Sequence, residues 1–188
     1  MLVMSYIFLV IIIVFEVNTD SIPSRTYTMK KDYLNPLFRI GFSIFDATNK
    51  SVYRIESKCA WRPKFNLLVL PSKHLIGQSE GKFSFINITL LNEQTNQWVS
   101  ANITAHSSWW NYEYTLYFNK QEIFIDHKTL PAHTQFHTKS KDGIVLAQSK
   151  NRHTTFDIEI YSNDLPDTLY LLSVAWINAL TARGRKGK

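Results

Sequence analysis

The sequence is short of cysteine, glycine and negative charge. Cys59 is the single cysteine in 188 residues, so the chain closes no disulfide within itself and frames no cysteine-based zinc site. It lies between Lys58 and Ala60 and reads as an ordinary thiol. Six glycines leave no phosphate-cradling loop, and none of them frames a Gly-x-Ser-x-Gly nucleophile elbow. No His-Glu-x-x-His run occurs, and no calcium loop of alternating acids closed by glycine. His133 and His137 are four apart, which is one turn of a helix or one face of a strand, with His106 and His127 elsewhere. Without an acid in zinc-site spacing they read as loop residues. Catalytic, metal and cofactor chemistry has no motif to stand on, so the expectation is a non-enzyme without cofactor or metal.

Acidic residues number 15 against 21 Lys and Arg, a formal net charge of +6. A basic balance favours anionic partners such as phospholipid head groups, sulfated glycans or nucleic acid. Base stacking would need aromatics interleaved with basic residues. Trp109, Trp110 and Tyr112 have none between them, so nucleic acid is not expected. Charge is also missing from the N-terminus. Leu2 to Phe15 is an apolar run of fourteen residues broken only by Ser5, and Glu16 is the first charge. That length fits the core of a secretory signal and is short for a membrane span. Residues 1–19 are read as a leader cleaved near Asp20, with an uncleaved anchor through residues 2–15 as the alternative. The destination is then outside the cell or the secretory lumen. Three Asn-x-Ser/Thr sequons, at Asn49, Asn87 and Asn102, are glycosylation candidates.

After a linker over residues 20–26 the pattern is nearly all β. Phe38, Ile40, Phe42 and Ile44 alternate with polar or small residues, and Ser51 to Glu56 returns after the turn at 46–50. Phe65–Leu70, Leu75–Gln78, Lys82–Leu91, Trp98–Ala105, Tyr112–Phe118, Glu122–Asp126, Gln135–Thr138, Ile144–Gln148 and Thr155–Tyr161 follow, separated by turns such as Asn119-Lys120. Ten to twelve short strands at regular spacing mark a sandwich or a barrel.

The last element differs. Asp164 to Leu180 reads as a helix with Asp164 as N-cap and Pro166 in its first turn. From Leu169 to Leu180 only Ser173 and Asn178 are polar. Such a helix has no solvated face and must be enclosed by protein or lipid. At ~1.5 Å per residue it spans roughly 24 Å, short of a bilayer core of about 30 Å. An enclosed helix after so many strands points to a barrel with the helix through its middle, lined by Leu169, Leu172, Val174, Trp176, Ile177 and Leu180. A C-terminal membrane anchor is the competing reading. The expected domain covers residues 27–182, and residues 183–188 form a basic tail.

The order of parts resembles the tubby C-terminal-like superfamily, and within it the LURP-one-related and phospholipid scramblase branch. Phe42 to Ala47 followed by Val52 to Glu56 looks like that family's opening hairpin. Trp109 to Tyr114 looks like its central aromatic strand, and Asp142 to Ala147 like a late turn and strand. Thr155 to Ile160, Asp164 to Asp167 and the helix to Leu180 look like its final strand and central helix. The resemblance implies an all-β fold, a closed barrel of about twelve strands around a hydrophobic C-terminal helix. It also implies a non-catalytic binding module, with anionic lipid head groups as the partner. A secreted protein that recognises an extracellular protein through exposed aromatics is the alternative, and a scramblase-like membrane protein a further one. A monomer is expected. The calcium-associated acidic spacing of scramblases is absent. Asp157 and Glu159 read instead as a strand face, and Asp164 and Asp167 as helix caps. The candidate anion-binding residues are Arg62, Lys64, Lys139, Lys141, Lys150 and Arg152. The last two pairs flank the strand at 144–148 and are expected to meet at one barrel end.

Overall fold

Side-chain alternation decides the architecture. In β2 (Arg39–Asp46) Phe42 and Ile44 are buried and Ser43 between them is not. In β6 (Phe85–Asn92) Ile86, Ile88 and Leu90 are buried and Asn87 and Thr89 are not. A period of two presents one apolar face per strand, and twelve such faces turned inward make one core. The computed structural model describes residues 22–34, 39–57, 64–82, 84–107, 112–129, 132–140 and 142–184. The leader, Cys59, Arg62, Trp109, Trp110 and Lys141 lie outside those residues.

The other strands are β1 (Arg25–Leu34), β3 (Ser51–Ser57), β4 (Lys64–Val69), β5 (His74–Lys82), β7 (Gln97–Ser107), β8 (Tyr112–Phe118), β9 (Gln121–Thr129), β10 (Ala132–Thr138), β11 (Val145–Arg152) and β12 (Thr155–Ile160). Each pairs antiparallel with its neighbour in sequence, and β12 pairs back onto β1, with Arg25 opposite Ile160 and Lys30 opposite Thr155. Closure leaves no free sheet edge. Tight turns carry the meander. Asn119 and Lys120 both adopt positive φ, 48° and 66°, the two-residue geometry that matches strand twist.

The helix α1 (Asp167–Gly184) fills the lumen. Every side chain from Leu169 to Ile177 is buried, and each large apolar one contributes about 1.5–3 kcal/mol relative to exposure. Phe65 meets Trp176 edge-on at 5.5 Å, and Phe136 meets Tyr170 at 5.1 Å. Two of the polar atoms carried inward are hydrogen-bonded, while the Tyr170 hydroxyl has no hydrogen-bond partner among the described residues. Trp176 Nε1 donates to Ser79 Oγ at 2.6 Å, and Ser173 Oγ donates to the Leu169 carbonyl at 2.7 Å. Gly77 lets the helix come close, since a Cβ there would sit 3.0 Å from Leu172 Cδ1 and 3.1 Å from Leu90 Cδ2. No helix among the described residues is long and apolar enough to cross a membrane.

Three boundaries differ from expectation. The helix starts at Asp167, not after an Asp164 cap. Asp164 instead accepts a hydrogen bond from Ser162 Oγ at 2.8 Å. Asp167 is the anchored acid, 2.7 Å from the Tyr27 hydroxyl and 2.9 Å from Arg25 Nε, so β1 fixes where the helix enters. That same contact explains why β1 begins at Arg25, inside the expected linker. Finally, β5 runs on to Lys82, which sequence alternation assigns to the following strand. Ser79, Glu80 and Gly81 carry little β signal, yet the register opposite β4 and β6 holds them in the ladder.

Candidate functional site: a cationic wall of the barrel

The turns after β2, β4, β6, β8 and β10 lie at the rim where the helix enters. The chain ends of β9, β11 and β1 lie at the far rim. This orientation sorts the basic residues. Lys150 lies opposite His133, and Val145 opposite His137. Lys139 follows two residues beyond His137, so it stands about six strand positions, roughly 20 Å, from Lys150. The expected meeting of the two pairs at one barrel end therefore does not occur. Lys139 and the Lys150–Arg152 pair occupy opposite rims, because a strand long enough to cross the barrel separates them.

What does meet is a different set. Lys128 lies opposite His133 on β9 and β10, and His133 opposite Lys150 on β11. Lys150 lies opposite Asp157 on β12. One step nearer the far rim, Thr155 has Arg152 on one side and Lys30 on the other. These positions share the outward parity, since the intervening Thr134, Ser149, Phe156, Ile158 and Met29 are buried. Adjacent strands lie about 4.8 Å apart, so Lys128 and Lys150 flank His133 within about 10 Å, as Arg152 and Lys30 flank Thr155. Four cations thus occupy two neighbouring rows that contain a single carboxylate, Asp157.

Asp157 is engaged by Arg152 Nε at 2.7 Å. Lys30 and Lys128 have no ion-pair partner among the described residues. Behind the cations runs a polar row. Gln148 Nε2 donates to Glu159 Oε2 and to the Tyr161 hydroxyl, which itself donates to Glu159 Oε2 at 2.8 Å. His133 Nε2 donates to Gln148 Oε1 at 3.2 Å, which places a proton on that nitrogen. Lys150 Nζ is 3.9 Å from Glu159. Partial burial alone would raise Glu159, but the bonds from Tyr161 and Gln148, with Lys150 nearby, hold its carboxyl below the usual range. His133 is pushed below its ordinary value by burial first, and then by Lys150 and Lys128. Burial chiefly, with the two flanking lysines adding to it, favours the neutral imidazole.

The remaining sequence candidates are scattered. Lys64 is at the far rim but is paired with Glu80 at 3.1 Å. Lys139 is exposed in the β10–β11 turn with φ 56°. Arg62 and Lys141 are outside the described residues. His137 does not join His133, because its Nδ1 donates to the Gly143 carbonyl at 3.2 Å under the β10–β11 turn. No group of three His, Cys, Asp or Glu among the described residues is placed to hold a metal ion. Asn49 is exposed in the β2–β3 turn at φ 62°. Asn87 and Asn102 both face outward and lie directly opposite each other on β6 and β7. Sequence reasoning missed Lys128, His133 and Lys30 as members of one site. Strand parity alone marks each as outward, but only the register across β9–β12 and the β12–β1 closure brings them together.

No family model matches this sequence, and no curated protein matches it. A crystal structure of a protein from Arabidopsis thaliana is similar to it, with a TM-score of 0.54 over 84% of this chain and 92% of the plant chain. The fold fits the tubby C-terminal-like pattern. At 12% identity the likeness carries the fold alone, and the cationic wall stands on this chain's own residues.

Proposed function

We propose that the chain is a LURP-one-related member of the tubby-like fold. It acts as a non-catalytic binding module for an anionic phospholipid surface, reached through the secretory pathway. The observation that carries the reading is the pair of outward rows with Lys128, His133 and Lys150 in one and Arg152 and Lys30 in the other. Each basic residue near an anionic leaflet contributes about 1 kcal/mol, so Lys30 and Lys128, with Lys150 and Arg152 partly offset by Glu159 and Asp157, give useful affinity without a pocket. Co-sedimentation with vesicles tests the reading. Binding is expected to vesicles containing phosphatidylserine, to weaken as salt rises, and to be absent with neutral phosphatidylcholine. Equal binding to both vesicle types removes the proposal.

A second reading, recognition of an extracellular protein, draws on the exposed Phe85, Trp98 and Tyr117 of β6 to β8. The scramblase-like alternative would need α1 as a lipid-facing span, and the enclosure of Leu169 to Ile177 leaves that helix no lipid-facing side.

A further inference from the structure

The wall half-way around the barrel from β12 and β1 belongs to β6 and β7. It is unusual in two respects that arise independently. First, it and the neighbouring β8 expose three large aromatic rings among polar outward residues. Phe85, Trp98 and Tyr117 are 48%, 49% and 45% exposed, and all three have the outward parity of their strands. Second, two sequons lie in its centre. The asparagine and threonine of a sequon are two apart, so a strand puts both on one face. Here Ile86, Ile88, Ala101 and Ile103 turn inward, which sends Asn87 with Thr89, and Asn102 with Thr104, outward. Asn87 lies opposite Asn102, Asn102 opposite Tyr117, and Phe85 opposite Thr104. The two carboxamides make no hydrogen bond among the described residues.

We propose that this wall is an N-glycan attachment site that carries one glycan, on Asn87 or Asn102 and never on both in a folded molecule. The proposal rests on the leader reading of residues 1–19 and is independent of lipid binding. In the transfer, the asparagine carboxamide nitrogen forms a bond to C1 of the first sugar of a lipid diphosphate-linked oligosaccharide. The C1–oxygen bond to the diphosphate breaks, the lipid diphosphate leaves with the bonding pair, and one amide proton passes to a base of the transferase. Directly opposed strand residues have Cα atoms only about 4.5–5.5 Å apart. Two branched oligosaccharides rooted at that spacing collide, so a doubly modified chain cannot close the β6–β7 ladder. One oligosaccharide fits and covers the Tyr117 and Phe85 rings, which answers the exposed apolar surface. It also leaves Lys150, Arg152 and Lys30 of the cationic wall, on β11 and β1 four or more strands away, open.

The chain offers a direct count. No Lys or Arg lies between Phe83 and Asn119, so trypsin releases Asn87 and Asn102 on one peptide ending at Lys120. The full-length protein is expressed in a eukaryotic secretory cell and the folded secreted fraction is collected. An endoglycosidase then trims each glycan to a single N-acetylglucosamine. Mass spectrometry is expected to find that peptide with one sugar. N87Q and N102Q single variants show which asparagine holds it, and the N87Q/N102Q double variant carries none. Two sugars on one peptide, or none in secreted wild-type protein, overturns the proposal. Neither result depends on whether the protein binds vesicles.

Discussion

Trp176 is the side chain whose removal the fold should tolerate least. It is fully buried at the middle of α1, edge-on to Phe65 at 5.5 Å, with Nε1 donating to Ser79 Oγ at 2.6 Å. Truncating a core tryptophan to alanine costs about 3–5 kcal/mol through lost transfer energy and the cavity left behind. Ser79, itself 1% exposed, loses its donor, and an unmet buried polar group adds about 1 kcal/mol. Set against a total stability of about 5–15 kcal/mol, W176A should be severely destabilised. At about 2–4 °C per kcal/mol for a chain of this size, its melting temperature should fall by on the order of 10 °C or more. Urea and thermal unfolding followed by circular dichroism measure this, with W98A as the control. Trp98 is 49% exposed, so its loss should stay within about 0.5 kcal/mol. A W176A cost below about 1 kcal/mol would show that the indole is not enclosed, and the helix-in-barrel reasoning would fall with it.

Gly77→Ala should cost about 1–3 kcal/mol by overpacking, because its Cβ would meet Leu172, Leu90 and Leu67 within 3.3 Å; unchanged urea stability would contradict that contact. Burial raises the phenols of Tyr27, Tyr114 and Tyr170 above their ordinary value of 10.0, with Asp167 adding to Tyr27 through its hydrogen bond. The unfolded chain therefore loses these protons first. Stability is complete below pH 10 and falls as pH rises above it, by up to about 1.4 kcal/mol per unit per tyrosine. Ultraviolet titration should show the three phenols ionising only as the protein unfolds, and their early ionisation together with the exposed tyrosines would refute their burial. By NMR, His133 should titrate below 6.5 and move upward when anionic vesicles are added. No movement on binding would place the contact elsewhere.

The strands were legible because alternation is local. Phe42, Ile44, Ile86 and Ile88 announce their face within a few residues, and the polar turns at 46–50 and 119–120 mark the reversals. The helix was legible because an element with no polar side has only an interior to occupy. Its start was not, because Asp164 and Asp167 look equally good as caps in one dimension. Arg25 and Tyr27, some 140 residues away, choose between them. The cationic wall was half legible. Lys150 and Arg152 were marked by charge and spacing, whereas Lys128 joins them only through the β9–β10–β11 register and Lys30 only through the β12–β1 closure, more than a hundred residues away in sequence. Lys139 illustrates the converse. Nearness in sequence suggested a shared patch with Lys150, and the length of β11 denies it.

Charge reversal separates the cationic wall from the basic residues of the opposite rim. Lys30 and Lys150 are exposed, and the 3.9 Å contact of Lys150 with Glu159 is a surface pair worth at most about 1 kcal/mol, so K30E/K150E should fold normally. At about 1 kcal/mol per basic residue, this double variant should bind phosphatidylserine vesicles at least tenfold more weakly than wild type. K139E, at the other rim, should bind as wild type does. If K30E/K150E binds undiminished, or K139E loses as much, the cationic wall is not the binding surface.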